Sequence, residues 1–272
     1  MTSQVIFGKN PPRAHAEIKA NMAMVVSGLE AVTQLLRHEF PRLRHECVIK
    51  DGRRVKSGTV LIRLTGPVTD ILKVERVVLN LLQHLSGTST LTARFVQLTS
   101  GLHVKILDTR KTTPGLRDLE KKAVRDGGGT NHRMNLSDAY MIKDNHIASA
   151  GSASAALQRV LNHRAHLKKR YPRALPIPVI IEVDTVAQCR EILPLGPDII
   201  VLDNMNPAQI RECVRLRGRQ RKPLLEISGG VTLKNIHALA RLGADRISIG
   251  ALTHSAPAVD ISLEIIRPSP HI

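Results

Sequence analysis

The sequence predicts an α/β protein: a TIM-like parallel α/β barrel, complete or incomplete, joined to a smaller N-terminal α+β sandwich domain. Short apolar runs (VKILDT, AYMIKDN, VIIEVD, DIIVLDN, LLEISGG and DRISIG) alternate with helical stretches through the later part of the chain. Each run ends in a group suited to a binding site, at Asp108, Lys143, Glu182, Asp203, Ser228 and Gly250. In parallel barrels functional groups stand just past the carboxyl ends of the strands. A doubly wound sheet shares the alternation but gathers its ligands at one switch point, so the barrel is preferred. Residues 1–79 differ in character and form the N-terminal domain; 80–257 form the barrel, and a tail of about 258–272 returns to the first domain.

Taken in order, an Ala/Met/Val/Leu segment at 21–36 precedes DGRRVKSGTVLIRLTG, where Asp51-Gly52 and Ser57-Gly58 bracket short alternating stretches. These predict a small sheet with hairpin turns. From 70 to 98, Ile71, Val74, Val77, Val78, Leu81, Leu82 and Leu85 recur at helical spacing, and Ser86-Gly87 predicts that the helix bends or ends there. The strand and helix alternation of the barrel comes next, without an internal repeat.

With 272 residues, 42% of them hydrophobic, the chain can bury a large core without staples. Cys47, Cys189 and Cys213 are far apart, show no metal or dithiol spacing and are expected as reduced core residues. The start lacks the apolar core of a secretion signal, and no apolar stretch approaches the roughly 20 residues of a membrane span. The expectation is a cytoplasmic protein that does not contact membranes. A formal charge of +17 favours anionic partners, but with no Trp, two Tyr and three Phe the chain lacks stacking platforms for bases. Nucleic acid is therefore disfavoured. The basic runs at 164–173 (RAHLKKRYPR) and 215–222 (RLRGRQRK) read as solvated helix ends and loops.

Between Asp108 and His146 the sequence sets Arg110, Lys111, Arg117, Lys121, Lys122, Arg125, His132, Arg133, Lys143 and His146 around Gly-Gly-Gly at 127–129. Cations beside turn-forming backbone predict a pocket for a multiply anionic small molecule. The turns at Ser228, Gly229 and Gly230 and at 250–255 offer amide groups ahead of helices, a phosphate-binding arrangement. Glu182 and Asp203 end consecutive strands, so both carboxylates should face the mouth shared with Lys111 and Lys143. There they bind a divalent cation or offset developing positive charge. His132 and His146, beside Arg and Lys, read as hydrogen-bond donors to anions before metal ligands. No Ser-His-Asp or Cys-His arrangement is legible, which argues against covalent nucleophilic catalysis.

The phrases ERVVLNLLQHLSGTSTLT, DTRKTTPGLR, GGGTNHR, IKDNH, LDN, SGG and SIGALTHS come in the order found in quinolinate phosphoribosyltransferases, and from about Glu75 to Leu263 the chain closely resembles that family. The resemblance implies condensation of quinolinate with phosphoribosyl pyrophosphate to nicotinate mononucleotide, pyrophosphate and carbon dioxide, with Mg2+, in de novo NAD biosynthesis. It implies Arg76, Arg110, Lys111, His132, Arg133 and Lys143 as ligands of quinolinate and phosphoryl groups. Ser228, Gly229, Gly230, Gly250 and His254 match the phosphate turns. The catalytic set it implies is Lys111, Lys143, Glu182 and Asp203, with Glu182 and Asp203 holding Mg2+ directly or through water. It also implies a homodimer, or a higher oligomer, in which Arg76 enters the partner's site. The family's opening acidic segment has no counterpart before Val5, and SGTST stands in place of the more usual SGIAT. Two alternatives remain: the paralogous group associated with molybdenum transport, and a catalytically silent relative that binds nucleic acid.

Overall fold

The computed structural model describes residues 2–173 and 176–266. After a short helix, α1 (Thr2–Phe7), strand β1 (Arg13–Ala20) alternates strictly: Ala14, Ala16, Ile18 and Ala20 are buried while Arg13 and His15 face solvent. Then come β2 (Met24–Val25), α2 (Leu29–Glu39), β3 (Arg44–Cys47), β4 (Arg54–Val55) and β5 (Val60–Pro67). β5 lies antiparallel between β1 and β3. The two predicted turns form, with Gly52 and Gly58 at φ 79° and 82°. They do not close a hairpin, because β4 pairs with β2 instead of β5. Asp51 is drawn elsewhere. Its carboxylate accepts the Leu29 and Glu30 N–H groups at 2.9 and 3.4 Å, supplying to α2 the cap that Gly28 lacks.

Helix α3 (Val68–Leu98) runs on through Ser86-Gly87, so of the expected bend or end the helix does not end there. The small residues there serve close approach. An added Cβ at Gly87 would lie 2.3 Å from the Pro257 carbonyl oxygen, and the Ser86 and Ser89 hydroxyls donate to the Ser27 and Val25 carbonyls at 3.1 and 2.6 Å. The apolar stripe Ile71, Val74, Val78 and Leu82 packs with Ile18, Val32, Leu36, Ile62 and Leu64 in one core cluster.

Beyond α3 the elements are β6 (Lys105–Leu107), α4 (Arg117–Asp126), β7 (Tyr140–Ile142), α5 (Asp144–Ala150), α6 (Ala153–Arg170), β8 (Val179–Val183), α7 (Val186–Ile192), β9 (Ile199–Asp203) and α8 (Pro207–Arg217). The chain ends through β10 (Leu224–Ser228), α9 (Ile236–Ala240), β11 (Arg246–Ser248), α10 (Ala251–His254) and β12 (Ile261–Ile266). β12 pairs antiparallel with β1, setting Ile261 opposite Ala20; the last expected residues of the returning tail, 267–272, lie outside the described residues. Two compact units result. One holds the chain through Ala93, Thr112–Gly129 and the chain from Ala251; the other holds Arg94–Lys111 and Thr130–Gly250.

The second unit contains the parallel sheet, ordered β6-β11-β10-β9-β8-β7 among the described residues. From β7 to β11 each strand lies beside the next, and β11 lies beside β6, which is barrel order with one seam open between β6 and β7. In chain order α4 falls between β6 and β7 and belongs to the first unit. Crossover helices start on sequence caps: Thr185 with Gln188 opens α7, and Asn206-Pro207 with Gln209 opens α8.

A clasp recurs where these strands begin. Asp198, just before β9, accepts the Val179 N–H at 2.8 Å and the Arg164 guanidinium; Asp245, just before β11, accepts the Leu225 N–H at 2.7 Å and the Arg217 guanidinium. Arg164 and Arg217 belong to the two basic runs, which comprise the last turns of α6 and α8 and the chain just beyond each helix. Cations there complement the helix dipoles. Cys189 and Cys213 are buried as expected, whereas Cys47 is exposed, because β3 is an edge strand.

A candidate active site at the carboxyl ends of the parallel strands

Residues in register on parallel strands point to the same face. Glu182 is level with Val201, Val201 with Glu226, Glu226 with Arg246, and Asp203 with Ser228. The same face carries Ile180 and Ile199, which cluster with Val201, Met141 and Leu224. An apolar layer therefore lies below a polar layer at the strand ends, as in a packed barrel with its chemistry on top.

Lys143, the first residue after β7, directs its ammonium to Glu182 Oε2 at 2.8 Å. The lysine side chain is 45% exposed and the glutamate 17%, so the pair opens outward. On β9, Asp203 Oδ2 accepts the Asn204 carboxamide at 2.9 Å. Asn204 takes the left-handed conformation, φ 51°, and its N–H donates to the Ser228 carbonyl at 2.9 Å. Gly229 then meets that carboxamide: an added Cβ would lie 2.0 Å from Asn204 Oδ1, at a φ of +91°. The LDN and SGG phrases thus form one interlocked support beneath Asp203. Gly250 stands just beyond β11.

The wall from β6 toward β7 is fastened by Asp108, which is fully buried and accepts the His132 N–H at 2.8 Å and the Asn131 carboxamide. His132 Nδ1 accepts the Arg133 N–H at 2.7 Å, and its Nε2 lies 3.4 Å from Glu226 Oε1. The other carboxylate oxygen of Glu226 takes Arg246 Nε at 2.8 Å. Burial alone would raise the Glu226 carboxyl, but hydrogen bonding to His132, the Arg246 charge and Ser248 together bring it below the ordinary carboxylate value. Arg133 donates to the Ala139 carbonyl at 3.0 Å. Burial, then the neighbouring Arg110 charge, hold its guanidinium below the ordinary arginine value.

The second unit thus contains Arg110, Lys111, His132, Arg133, Lys143, Glu182, Asp203, Ser228, Gly229, Gly230 and Gly250. Arg76 and His254 fall in the first unit, Arg76 exposed on α3 and His254 on α10 with Nδ1 2.6 Å from the Ser255 hydroxyl. The cationic stretch is accordingly two sets with different duties. Lys122 binds Asp51 and Asp126 at 2.8 and 2.9 Å, Lys121 is fully buried, and Arg117 Nε donates to the Thr112 hydroxyl at 3.1 Å. Lys122 and Arg117 thus make these contacts within the first unit. The glycine triplet, read from sequence as turn-forming backbone, is packed tightly: added Cβ atoms at Gly127 and Gly129 would lie 2.4 Å from the Ser89 carbonyl and 2.7 Å from Val124. His146 Nδ1 accepts the Lys143 N–H at 3.0 Å in the cap of its own helix. Sequence reasoning missed Asn131 and Glu226. A lone carboxylate at the centre of the apolar run LLEIS was the available signal for Glu226.

The sequence matches the family described as quinolinate phosphoribosyl transferase, N-terminal domain, over residues 1–86, and the C-terminal domain of the same description over 88–264. A probable nicotinate-nucleotide pyrophosphorylase [carboxylating] of Bacillus subtilis is 40% identical over 268 residues, covering 97% of this chain and 87% of the relative. A nicotinate-nucleotide pyrophosphorylase [carboxylating] of Mycobacterium leprae is 42% identical over 218 residues, covering 80% of this chain and 73% of the relative. Among solved structures, the nicotinate-nucleotide pyrophosphorylase of Ehrlichia chaffeensis superposes with a TM-score of 0.87 at 37% identity, covering 97% of this chain and 92% of that one.

Proposed function

The chain belongs to the quinolinate phosphoribosyl transferase family, and on that premise we propose how its own side chains carry the reaction. The enzyme joins quinolinate to phosphoribosyl pyrophosphate and releases nicotinate mononucleotide, pyrophosphate and carbon dioxide, a step of NAD synthesis. Neither the molybdenum-associated nor the silent alternative is favoured, given relatives of this name along nearly the whole chain.

The observation that carries the site assignment is the polar layer at the strand ends, where the Lys143 ammonium meets Glu182 Oε2 at 2.8 Å and the pair opens outward. Arg133 sits half-buried on the same unit, its guanidinium donating to the Ala139 carbonyl at 3.0 Å. A pyridine with two adjacent carboxylates supplies two negative charges in a plane, which guanidinium forks match. In our reading Arg110, Lys111, Arg133 and Lys143 receive these carboxylates and the phosphates, with His132 supporting Arg133. The amides of Ser228, Gly229, Gly230 and Gly250 receive phosphoryl oxygens; His254 is proposed as a phosphate ligand on the family resemblance alone.

The ring nitrogen attacks C1′ as the bond to pyrophosphate breaks, and the leaving group departs with the electron pair. Glu182 and Asp203 offset the oxocarbenium-like charge that builds at the ribose. Glu182 would be partly released from Lys143 when that ammonium turns to substrate, which couples anion arrival to exposure of the carboxylate. The new pyridinium accepts the pair left as the ring-to-carboxylate bond beside the nitrogen breaks, and a proton then replaces carbon dioxide. No covalent enzyme intermediate is required.

Glu182 and Asp203 are too few for an all-protein metal cage, and among the described residues no larger His/Cys/Asp/Glu group is suited to a metal ion. Two carboxylates do fit Mg2+, which keeps waters and takes further ligands from phosphates. When bound, Mg2+ would neutralise the departing pyrophosphate. We further propose a cytoplasmic homodimer in which exposed Arg76, beside Val77 at 54% exposure on α3, completes the partner's site. Among the described residues no helix is long and apolar enough to cross a membrane.

The test is product formation from quinolinate, phosphoribosyl pyrophosphate and Mg2+, with nicotinate in place of quinolinate as the control that should not turn over. Lys143→Ala should lower kcat/KM at least a hundredfold, or about 3 kcal/mol, at an unchanged melting temperature. A folded Lys143→Ala protein with near-normal turnover would remove Lys143 from the mechanism.

A further inference from the structure

Glu226 lies at the middle of β10, not at its end, and is almost wholly buried at 1% exposure. A carboxylate in such a place must be held, and its two oxygens are divided. Oε2 takes Arg246 Nε at 2.8 Å, and Oε1 faces His132 Nε2 at 3.4 Å. On the far side of the imidazole, Nδ1 accepts the Arg133 N–H at 2.7 Å. A backbone N–H donates only to a ring nitrogen that carries a lone pair, so the ring proton sits on Nε2 and points at Glu226. The carboxylate, the imidazole and the Arg133 backbone are therefore one chain of bonds. Its orientation is set from the Glu226 end, because Arg246 offers the carboxylate only donors.

We propose that Glu226 is a positioning residue for the reaction: acting through the tautomer of His132, it fixes the Arg133 backbone and with it the guanidinium that receives the pyridine dicarboxylate. The inference rests on the reading of Arg133 as a quinolinate ligand. It assigns Glu226 no contact with substrate and no proton transfer. Glu226→Gln tests it with almost no change of shape. Facing Arg246, the amide must turn its oxygen to that side, which presents its NH2 to His132 Nε2. The imidazole then has to shift its proton to Nδ1, where it opposes the Arg133 N–H. A buried tie made for stability alone predicts no such switch.

The experiment pairs histidine-labelled 15N NMR with steady-state kinetics, His132 being assigned by comparison with His132→Asn. Wild-type enzyme should show His132 with its proton on Nε2. Glu226→Gln should show it on Nδ1 and raise the KM for quinolinate roughly tenfold or more, a cost typical of lost supporting partners, with the KM for phosphoribosyl pyrophosphate changed less than about twofold. In the His132→Asn background, Glu226→Gln should have no further effect on quinolinate. The proposal falls if wild-type His132 carries its proton on Nδ1, a result that does not depend on any variant folding. It falls equally if Glu226→Gln lowers only the melting temperature, or if its effect adds to that of His132→Asn. Arg133→Lys separates the two levels: if it leaves the quinolinate KM unchanged, the ligand reading fails and this inference with it. If Arg133→Lys raises that KM while Glu226→Gln does not, only the role of Glu226 fails.

Discussion

Gly229→Ala and Gly230→Ala form a matched pair that weighs the support beneath Asp203. Both glycines have positive φ, +91° and +62°, so either alanine carries left-handed strain of about 1 kcal/mol. At Gly230 nothing lies within 4 Å of the new methyl, and strain is the whole cost. At Gly229 the methyl would stand 2.0 Å from Asn204 Oδ1, so the carboxamide must swing away. Overpacking and loss of the hydrogen bond to Asp203 add about 2 kcal/mol, giving about 3 kcal/mol in all. For a chain of this size the expected fall in Tm is roughly 2–4 °C for Gly230→Ala and roughly 6–12 °C for Gly229→Ala. Thermal melts monitored by circular dichroism provide the first reading. Kinetics provide the second: with Asp203 no longer steadied, Gly229→Ala should lose more kcat than Gly230→Ala. Equal melting shifts would refute the collision. A large shift for Gly229→Ala with unaltered kcat would show that Asn204 does not steady a catalytic carboxylate.

Gly87→Ala inverts the usual rule for helices, where alanine is better by about 1 kcal/mol. With the Pro257 carbonyl oxygen 2.3 Å from the added Cβ, it should instead destabilise by about 2–4 kcal/mol in urea unfolding; a neutral or higher midpoint would contradict the close approach. Arg76→Ala and Lys143→Ala should each be nearly inactive, yet mixing them should restore about a quarter of wild-type activity per protomer if Arg76 serves the neighbouring subunit, and no recovery would sink the shared site. Glu226 contributes a pH-dependent stability whose sign is set by its lowered carboxyl. The contribution is complete above the unfolded glutamate value of about 4.3 and is lost as pH falls through the lower folded value. The Tm difference between wild type and Glu226→Gln should therefore narrow below about pH 4, and a difference that widens on acidification would contradict the assignment.

Strands and their polar ends were legible because burial on both faces leaves continuous apolar runs, and because a charged residue closing such a run has few structural uses. The helix of α3 was legible by period, but its uninterrupted passage through Ser86-Gly87 was not. Glycine in a sequence does not distinguish a break from a place where another backbone crosses, and the crossing partner, Pro257, lies far along the chain. The same ambiguity hid the close packing of the glycine triplet, whose expected turn does form. Within the cationic stretch, residue type could not separate Lys122, which binds Asp51 and Asp126, from Lys143 at a strand end, since their partners are set by tertiary folding. Glu226 was invisible as a support for a related reason. Its role depends on a histidine that chain order places far away and register brings near.

The paired clasps at the beginnings of the strands, Arg164 with Asp198 and Arg217 with Asp245, repeat one bonding scheme two strands apart. Sequence periodicity gave no hint of it, yet it divides the labour along every strand it touches. Fastening is done where a strand enters the sheet, and chemistry where it leaves. Loops at the leaving ends can therefore be rewritten, in the laboratory or by drift, with the sheet still anchored from below. A second substrate selected onto this scaffold would inherit its durability without inheriting its specificity.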